Sequence, residues 1–161
     1  MRIGVVSDTH DNLPNVRRIV EIFRASGVER VVHTGDITRA DTLDLFASLA
    51  IPLHGVYGNN DVDRAGLDAA ARRHGFRLAE APLRLDWAGR EIVVVHDPRD
   101  FDSRDGRFGR VAFHGHTHRP SIERGDGGLV FNPGECAGMM RGHNVVGVVD
   151  LVTLSLELPR F

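Results

Sequence analysis

Apolar residues in this chain come in short continuous runs, and five of those runs give way to polar residues of one kind. Ile3-Gly4-Val5-Val6 leads into Asp8-Thr9-His10, Val31-Val32 into Gly35-Asp36, and Leu53-His54-Gly55-Val56-Tyr57 into Gly58-Asn59-Asn60-Asp61. Ile92-Val93-Val94-Val95 leads into His96, and Val111-Ala112-Phe113 into Gly115-His116-Thr117-His118. Runs like these read as strands buried on both faces, as in parallel sheets. In open α/β sheets, ligands bind beyond the carboxyl ends of the strands. The pattern therefore predicts one sheet edge that gathers Asp, His and Asn side chains into a single cluster.

Between the runs the period changes. Val16, Ile19, Val20 and Phe23 fall at i, i+3, i+4 and i+7, which predicts a helix over residues 14–26, with Pro14 in its first turn and Gly27 at its end. Residues 41–49 read as a second helix with Leu43, Phe46 and Leu49/Ala50 inward, and residues 67–74 as a third, closed by Gly75. The order βαβαβα favours a parallel sheet with right-handed crossovers. In the second half, Leu83-Arg84-Leu85-Asp86-Trp87 alternates, turns at Ala88-Gly89 and continues over residues 91–95 as a hairpin. Residues 121–124 and 129–131 flank a glycine-rich turn as a second hairpin. Residues 145–149 and 151–158 read as a third, hinged near Asp150. These antiparallel strands are expected to build a second sheet facing the first. Residues 97–110 carry no helical period and read as a polar loop.

Composition adds boundaries. The 161 residues, 42% of them apolar, suit one globular domain over residues 1–161 with a substantial core. The formal net charge is -2 and no basic stripe appears, which argues against long duplex nucleic acid as a partner. The single cysteine, Cys136, allows neither an internal disulfide nor a cysteine-based zinc site. No apolar stretch approaches the ~20 residues of a membrane helix, and the chain enters its first strand at once, leaving no signal peptide. The expected location is the cytoplasm, with no membrane partner and a homo-oligomer left open. Nine histidines are the compositional feature that matters, and three lie in residues 111–118.

The clustered residues define the chemistry. Asp8 and His10 stand two apart just past a strand, a spacing that in an extended segment puts both side chains on one side. Asp36 follows Gly35 and Asn59 follows Gly58, where a glycine permits a tight turn and close backbone approach. His116 and His118 repeat the two-apart spacing. With His96 these residues supply three carboxylate or amide oxygens and four imidazoles. Such a mixed set suits Mn, Fe, Zn or Ni better than Mg or Ca. Seven protein ligands exceed what one ion with an open position can take, but fit two divalent ions sharing a carboxylate. Two ions ~3.5–4 Å apart can activate a bridging water and clamp a phosphoryl oxygen.

The ordered set D-x-H, G-D, G-N-x-D, H and G-H-T-H resembles the calcineurin-like metallophosphoesterase superfamily over residues 1–134. The short length and Asn132-Pro133-Gly134 resemble its small YfcE-type phosphodiesterases. The resemblance implies an α/β fold of two mixed β-sheets packed as a sandwich, with helices on the outer faces. It implies Asp8, His10, Asp36 and His118 on one ion, and Asp36, Asn59, His96 and His116 on the other, with Asp36 bridging. Manganese is the expected metal, with Ni, Fe or Zn as alternatives.

Several positions depart from the family pattern. Asn60 stands where relatives often carry His or Cys. It can donate a hydrogen bond to a phosphoryl oxygen but cannot protonate a leaving group. Asp97 replaces the glycine that usually follows the histidine, and Asp100, Asp102 and Asp105 occupy a segment that the resemblance alone would make helical, which predicts an acidic rim. Glu135 stands where a small residue is usual. Asp61 is expected to orient Asn60 or a ligand, the alternative being a cap for the segment from Asp63 onwards. His33 and His54, inside apolar runs, are expected to be core histidines bonded to backbone, and His114 to be a supporting residue. Arg39, Arg64 and Arg119 lie near the motifs and read as surface residues. Cys136 reads as a small buried residue.

The expectation is a dinuclear metal-dependent phosphoesterase acting on a small phosphodiester. A metal-bridging hydroxide attacks phosphorus, and Asn60 and Asp61 are the candidate catalytic residues. The alternatives are a phosphomonoesterase and a catalytically weak metal-bound scaffold of the same fold, as the family includes in the retromer coat subunit. A protein serine/threonine phosphatase is disfavoured, because Asp36-Ile37-Thr38-Arg39-Ala40 lacks the acid-Arg-Gly sequence of that branch.

Overall fold

The computed structural model describes residues 1–140 and 142–161. Strand β1 (Arg2–Val6) is followed by helix α1 (Leu13–Ala25), β2 (Arg30–His33), α2 (Ala40–Ala47), β3 (Leu53–Val56), α3 (Arg64–His74) and β4 (Arg77–Ala79). Strands β1 to β4 run parallel, as the alternation of strands and helices predicts. The second half contributes β5 (Leu83–Trp87), β6 (Arg90–Val94), β7 (Val111–Phe113), β8 (Ser121–Gly125), β9 (Gly128–Asn132), β10 (Gly147–Asp150) and β11 (Leu156–Glu157). The sheets have the orders β11-β10-β1-β2-β3-β4 and β5-β6-β7-β9-β8.

Both sheets are mixed, for a reason the hairpin pattern could not show. β10 lies antiparallel beside β1, so the last hairpin extends the first sheet instead of joining the second. In the second sheet β6, β7 and β9 are parallel, and only the edge strands β5 and β8 are antiparallel. β4 has three residues, none fully buried, too few to show a period.

Two apolar layers hold the elements together. Ile3, Val5, Val32, Ile92, Val94, Phe113 and Phe131 pack between the sheets. Val16, Ile19, Phe23, Leu43, Phe46 and Leu67 pack from the helices against Val6, Val31, Leu53 and Val148 on the other face of the first sheet. Burying each such side chain fully contributes about 1.5–3 kcal/mol. All three α-helices cover the outer face of the six-stranded sheet. The second sheet is covered by the 97–110 segment, which contains only a short 3-10 turn, Pro98–Asp100. Arg84 on β5 bonds Asp102 and Asp105 of that segment. These two acids therefore face the outside of the sheet, and the expected acidic rim is reduced to Asp97 and Asp100.

α2 ends at Ala47, earlier than expected. Leu49 is partly buried, but Ala50 is exposed with φ +55°, so it faces solvent instead of the core. Asn12 caps α1 by accepting from the Asn15 amide, and Asp63 caps α3 by accepting from Gly66. No helix among the described residues is long and apolar enough to cross a membrane.

Candidate metal centre

The carboxyl ends of β1, β2 and β3 meet those of β6 and β7 at one end of the sandwich. The seven expected ligands are brought together there, from two facing sheets and not from one edge. Five of them have left-handed backbone: Asp8 (φ 50°), His10 (40°), Asp36 (55°), His116 (65°) and His118 (58°). This corrects the extended geometry inferred from the two-apart spacings. Each left-handed non-glycine residue costs of order 1–3 kcal/mol and persists only where its surroundings over-determine it, as at functional sites.

The ligand-type atoms of Asp8, His10, Asp36 and His118 all lie within 4.8 Å of one another. His118 Nε2 is 3.4 Å from Asp8 Oδ1, and His10 Nε2 is 3.4 Å from Asp36 Oδ2. Asp8 is wired so that one oxygen is committed and the other open. Its Oδ2 accepts from the Ser7 hydroxyl and the His116 amide, and Thr34 Oγ1 donates to Ser7 Oγ at 2.6 Å. Its Oδ1 is buried with no hydrogen-bond partner, and so is His10 Nε2. A buried oxygen and a buried imidazole nitrogen turned toward each other without partners are costly. A cation between them removes that cost, so this donor set fits a metal ion. Burial raises the Asp8 carboxyl above its ordinary value, with the Ser7 hydroxyl and the His96 and His118 imidazoles pulling the other way.

A second set adjoins the first. His96 Nε2 and His116 Nδ1 each lie 3.0 Å from Asn59 Oδ1, and 3.3 Å from each other. His96 Nδ1 is 2.9 Å from the Thr34 carbonyl, an acceptor only, so Nδ1 carries the hydrogen and the Nε2 lone pair faces the site. Asp36 joins the sets through different oxygens: Oδ2 faces His10, and Oδ1 is 3.7 Å from His96 Nε2. Gly58 and Gly115 wall the two carboxylates. A Cβ on Gly58 would collide with Asp36 Oδ1, and one on Gly115 with Ser7 Oγ.

Asp61 does not point at the open side of the cluster. Its carboxylate accepts from the amides of Gly58 (2.7 Å), Asp36 (3.0 Å) and Thr38 (2.6 Å), which holds the Asp36 turn against the Asn59 turn. Burial raises its pKa while the Gly58 and Thr38 amides oppose the rise. Asn60 is exposed and donates to Asp36 twice, from its backbone amide at 2.9 Å and its side chain at 2.7 Å.

The supporting residues were only partly visible in the motifs. His33 Nδ1 accepts from the Gly35 amide, and Nε2 lies 3.2 Å from Thr9 Oγ1, which bonds the Asp36 carbonyl. This relay braces the first two ligand turns. Asn132 donates to the Gly115 carbonyl and to Thr117 Oγ1, holding the Gly-His-Thr-His turn. His114 sits beneath that turn, its Nδ1 3.1 Å from the Gly115 carbonyl, with its pKa lowered by burial. Glu135 is buried and accepts from the Met139 and Met140 amides. His54 differs from its expectation: its Nδ1 has no partner, and the ring stands edge-on to Trp87 at 4.9 Å. Ser7 and Thr34 stand outside the motif pattern, although both adjoin it and carry hydroxyls.

Beside the second set opens a cleft of about 330 Å³, lined by Tyr57, Asn59, Arg64, His96, Asp100 and His116 among others. Arg64 is thus part of the cleft wall, its guanidinium 4.3 Å above the Tyr57 ring and paired with Glu80. Arg39 pairs with Asp41 at the surface.

Known proteins resemble this chain. A phosphodiesterase of Methanocaldococcus jannaschii, MJ0936, is 34% identical over 159 residues, covering 93% of each chain. The phosphodiesterase YfcE of Escherichia coli is 26% identical over 174 residues, covering 97% of this chain and 91% of that protein. The solved structure of an archaeal phosphodiesterase superposes with a TM-score of 0.90 at 30% identity, covering the whole of both chains. The model of the calcineurin-like phosphoesterase superfamily domain matches residues 1–154. With its fold, its strand-end Asp/His cluster and these relatives in agreement, the chain belongs to the calcineurin-like phosphoesterase superfamily.

Proposed function

We propose that this chain hydrolyses small phosphodiesters at a dinuclear centre. Asp8, His10, Asp36 and His118 hold one divalent ion, and Asp36, Asn59, His96 and His116 hold the other. The observation that carries this reading is Asp36, which turns one oxygen to each set. The diester preference rests on relatives that bear that name. The nitrogen and oxygen donors, with no thiolate, favour a first-row ion, and manganese is our choice. When bound, two such ions supply a water of lowered pKa and positive charge at the phosphoryl oxygens.

The chain's own residues do the rest. Asp61 holds the Asp36 and Asn59 turns in register and acts as a positioning residue. Asn60 gives one N–H of its amide to Asp36, and the other is available to a phosphoryl oxygen as charge develops on it. No proton passes from Asn60 to the departing group. The cleft along Tyr57 and Arg64 receives the second ester substituent.

Protein reconstituted with Mn should approach two ions per chain by elemental analysis and turn over aryl phosphodiesters faster than the matching monoesters. Asp36→Asn should lose more metal than any other single ligand substitution. Saturation at one ion per chain defeats the dinuclear centre, and a monoester preference defeats the assignment of substrate.

A further inference from the structure

We propose that Asp97 is a positioning residue for the second ion, acting through His116. The proposal rests on the dinuclear reading above and adds a residue to it.

An imidazole that binds a metal through one nitrogen needs an outward acceptor for the N–H on the other, which sets the tautomer and the ring orientation. His96 has the Thr34 carbonyl on its Nδ1, leaving Nε2 to face the site. His116 is wired the opposite way. Its Nδ1 faces Asn59 and His96, and its Nε2 faces away from the cluster. The acceptor on that side is Asp97, whose Oδ2 lies 3.7 Å from Nε2, a gap that a small rotation of the ring closes to a hydrogen bond.

His116 is also the ligand imidazole with the least packing around it. Its side chain is 39% exposed, against 7% for His96, 16% for His10 and 28% for His118. Burial therefore holds this ring least, and a charge beside it matters most. The Asp97 carboxylate is itself well anchored. It begins the Pro98–Asp100 turn, where Oδ1 accepts from the Arg99 amide at 2.9 Å and the Arg99 guanidinium spans both oxygens. A glycine here, usual in the family pattern, has no acceptor to offer. The anion favours hydrogen on Nε2, against the Asn59 oxygen that draws it to Nδ1, and so favours an Nδ1 lone pair facing the second set and strengthens it as a donor.

The test is calorimetric titration of metal-free protein with Mn, comparing wild type, Asp97→Asn and Asp97→Gly. Losing such an outer partner typically weakens metal binding about 10–100-fold. The second binding step should weaken by that factor in Asp97→Gly and by less in Asp97→Asn, which keeps a neutral acceptor. The first step should be unchanged, which also serves as the control for folding. In the metal-free protein, where the Asn59 oxygen draws hydrogen to Nδ1, long-range ¹H–¹⁵N spectra should show a larger Nε2–H fraction of His116 in wild type than in Asp97→Gly. An unchanged second step overturns the proposal, as does equal weakening of both steps, which marks a general role in loop structure. A single binding step in wild type overturns the dinuclear reading instead. The tautomer spectra then judge Asp97 alone, and the same Nε2–H fraction in wild type and Asp97→Gly refutes its role.

Discussion

Asn60 stands at the exposed lip of the cluster, one amide hydrogen committed to Asp36 and one open. That geometry makes it a hydrogen-bond donor without acid function. Losing one donor to developing charge costs roughly 2–4 kcal/mol, so Asn60→Ala should slow diester hydrolysis by about 10²–10³. Asn60→His, which can transfer a proton, should rescue poor alkyl leaving groups more than good aryl ones. A leaving-group series on the three proteins decides it, and equal rates for wild type and Asn60→Ala would remove Asn60 from the chemistry. His33 acts through folding. Burial keeps its imidazole neutral, with a pKa lowered from 6.5 to about 3. The unfolded chain takes up the proton first. The stability His33 provides is therefore complete above pH ~6.5 and falls as the pH drops toward 3, by up to about 1.4 kcal/mol per unit. Urea unfolding of metal-free protein across this window should show a pH slope smaller by about one proton in His33→Gln, and an identical slope would exclude His33 as the source.

Among the elements, α1 was the most legible. Its four periodic apolar residues are the ones buried, and its boundaries moved by one residue at each end. Its last core residue, Phe23, is fully buried against the first sheet. Phe23→Ala should cost about 3–5 kcal/mol in chemical unfolding, while Mn stoichiometry under native conditions stays the same. A loss of metal without a loss of stability would show that α1 shapes the site directly. α1 does touch a second loop: Asn12 and Asn15 donate to the carbonyls of Ala137 and Cys136. Nothing in the helical period announces those bonds, because they join residues more than a hundred positions apart. The last hairpin was legible as a hairpin, yet alternation says which residues pair and not which sheet edge receives them.

At the scale of the molecule, the candidate centre joins the two sheets: Asp8, His10, Asp36 and Asn59 follow strands of one, and His96, His116 and His118 follow strands of the other. Ions held there tie the sandwich together, so binding should favour the folded state. At a free Mn concentration of 100 times Kd the gain is about 2.7 kcal/mol per site, a rise in Tm of roughly 5–10 °C for a domain of this size. Thermal unfolding with Mn and then with excess chelator measures the shift, and a Tm indifferent to both would mean that the cluster does not bind the ion in the folded state. The strand runs, the helices on the first sheet, and the polar residues where the runs end were set by local pattern alone, since burial and period act over a few residues. The tertiary structure decided what depends on distant partners. It placed the strand ends of two sheets face to face and folded five of the candidate ligands into left-handed backbone. It also turned Asp61 onto three amides, drew Asp102 and Asp105 to Arg84, and set Asp97 beside His116. Each of these outcomes balances local strain or charge against a contact made elsewhere in the chain, and no window of sequence contains both sides of that balance.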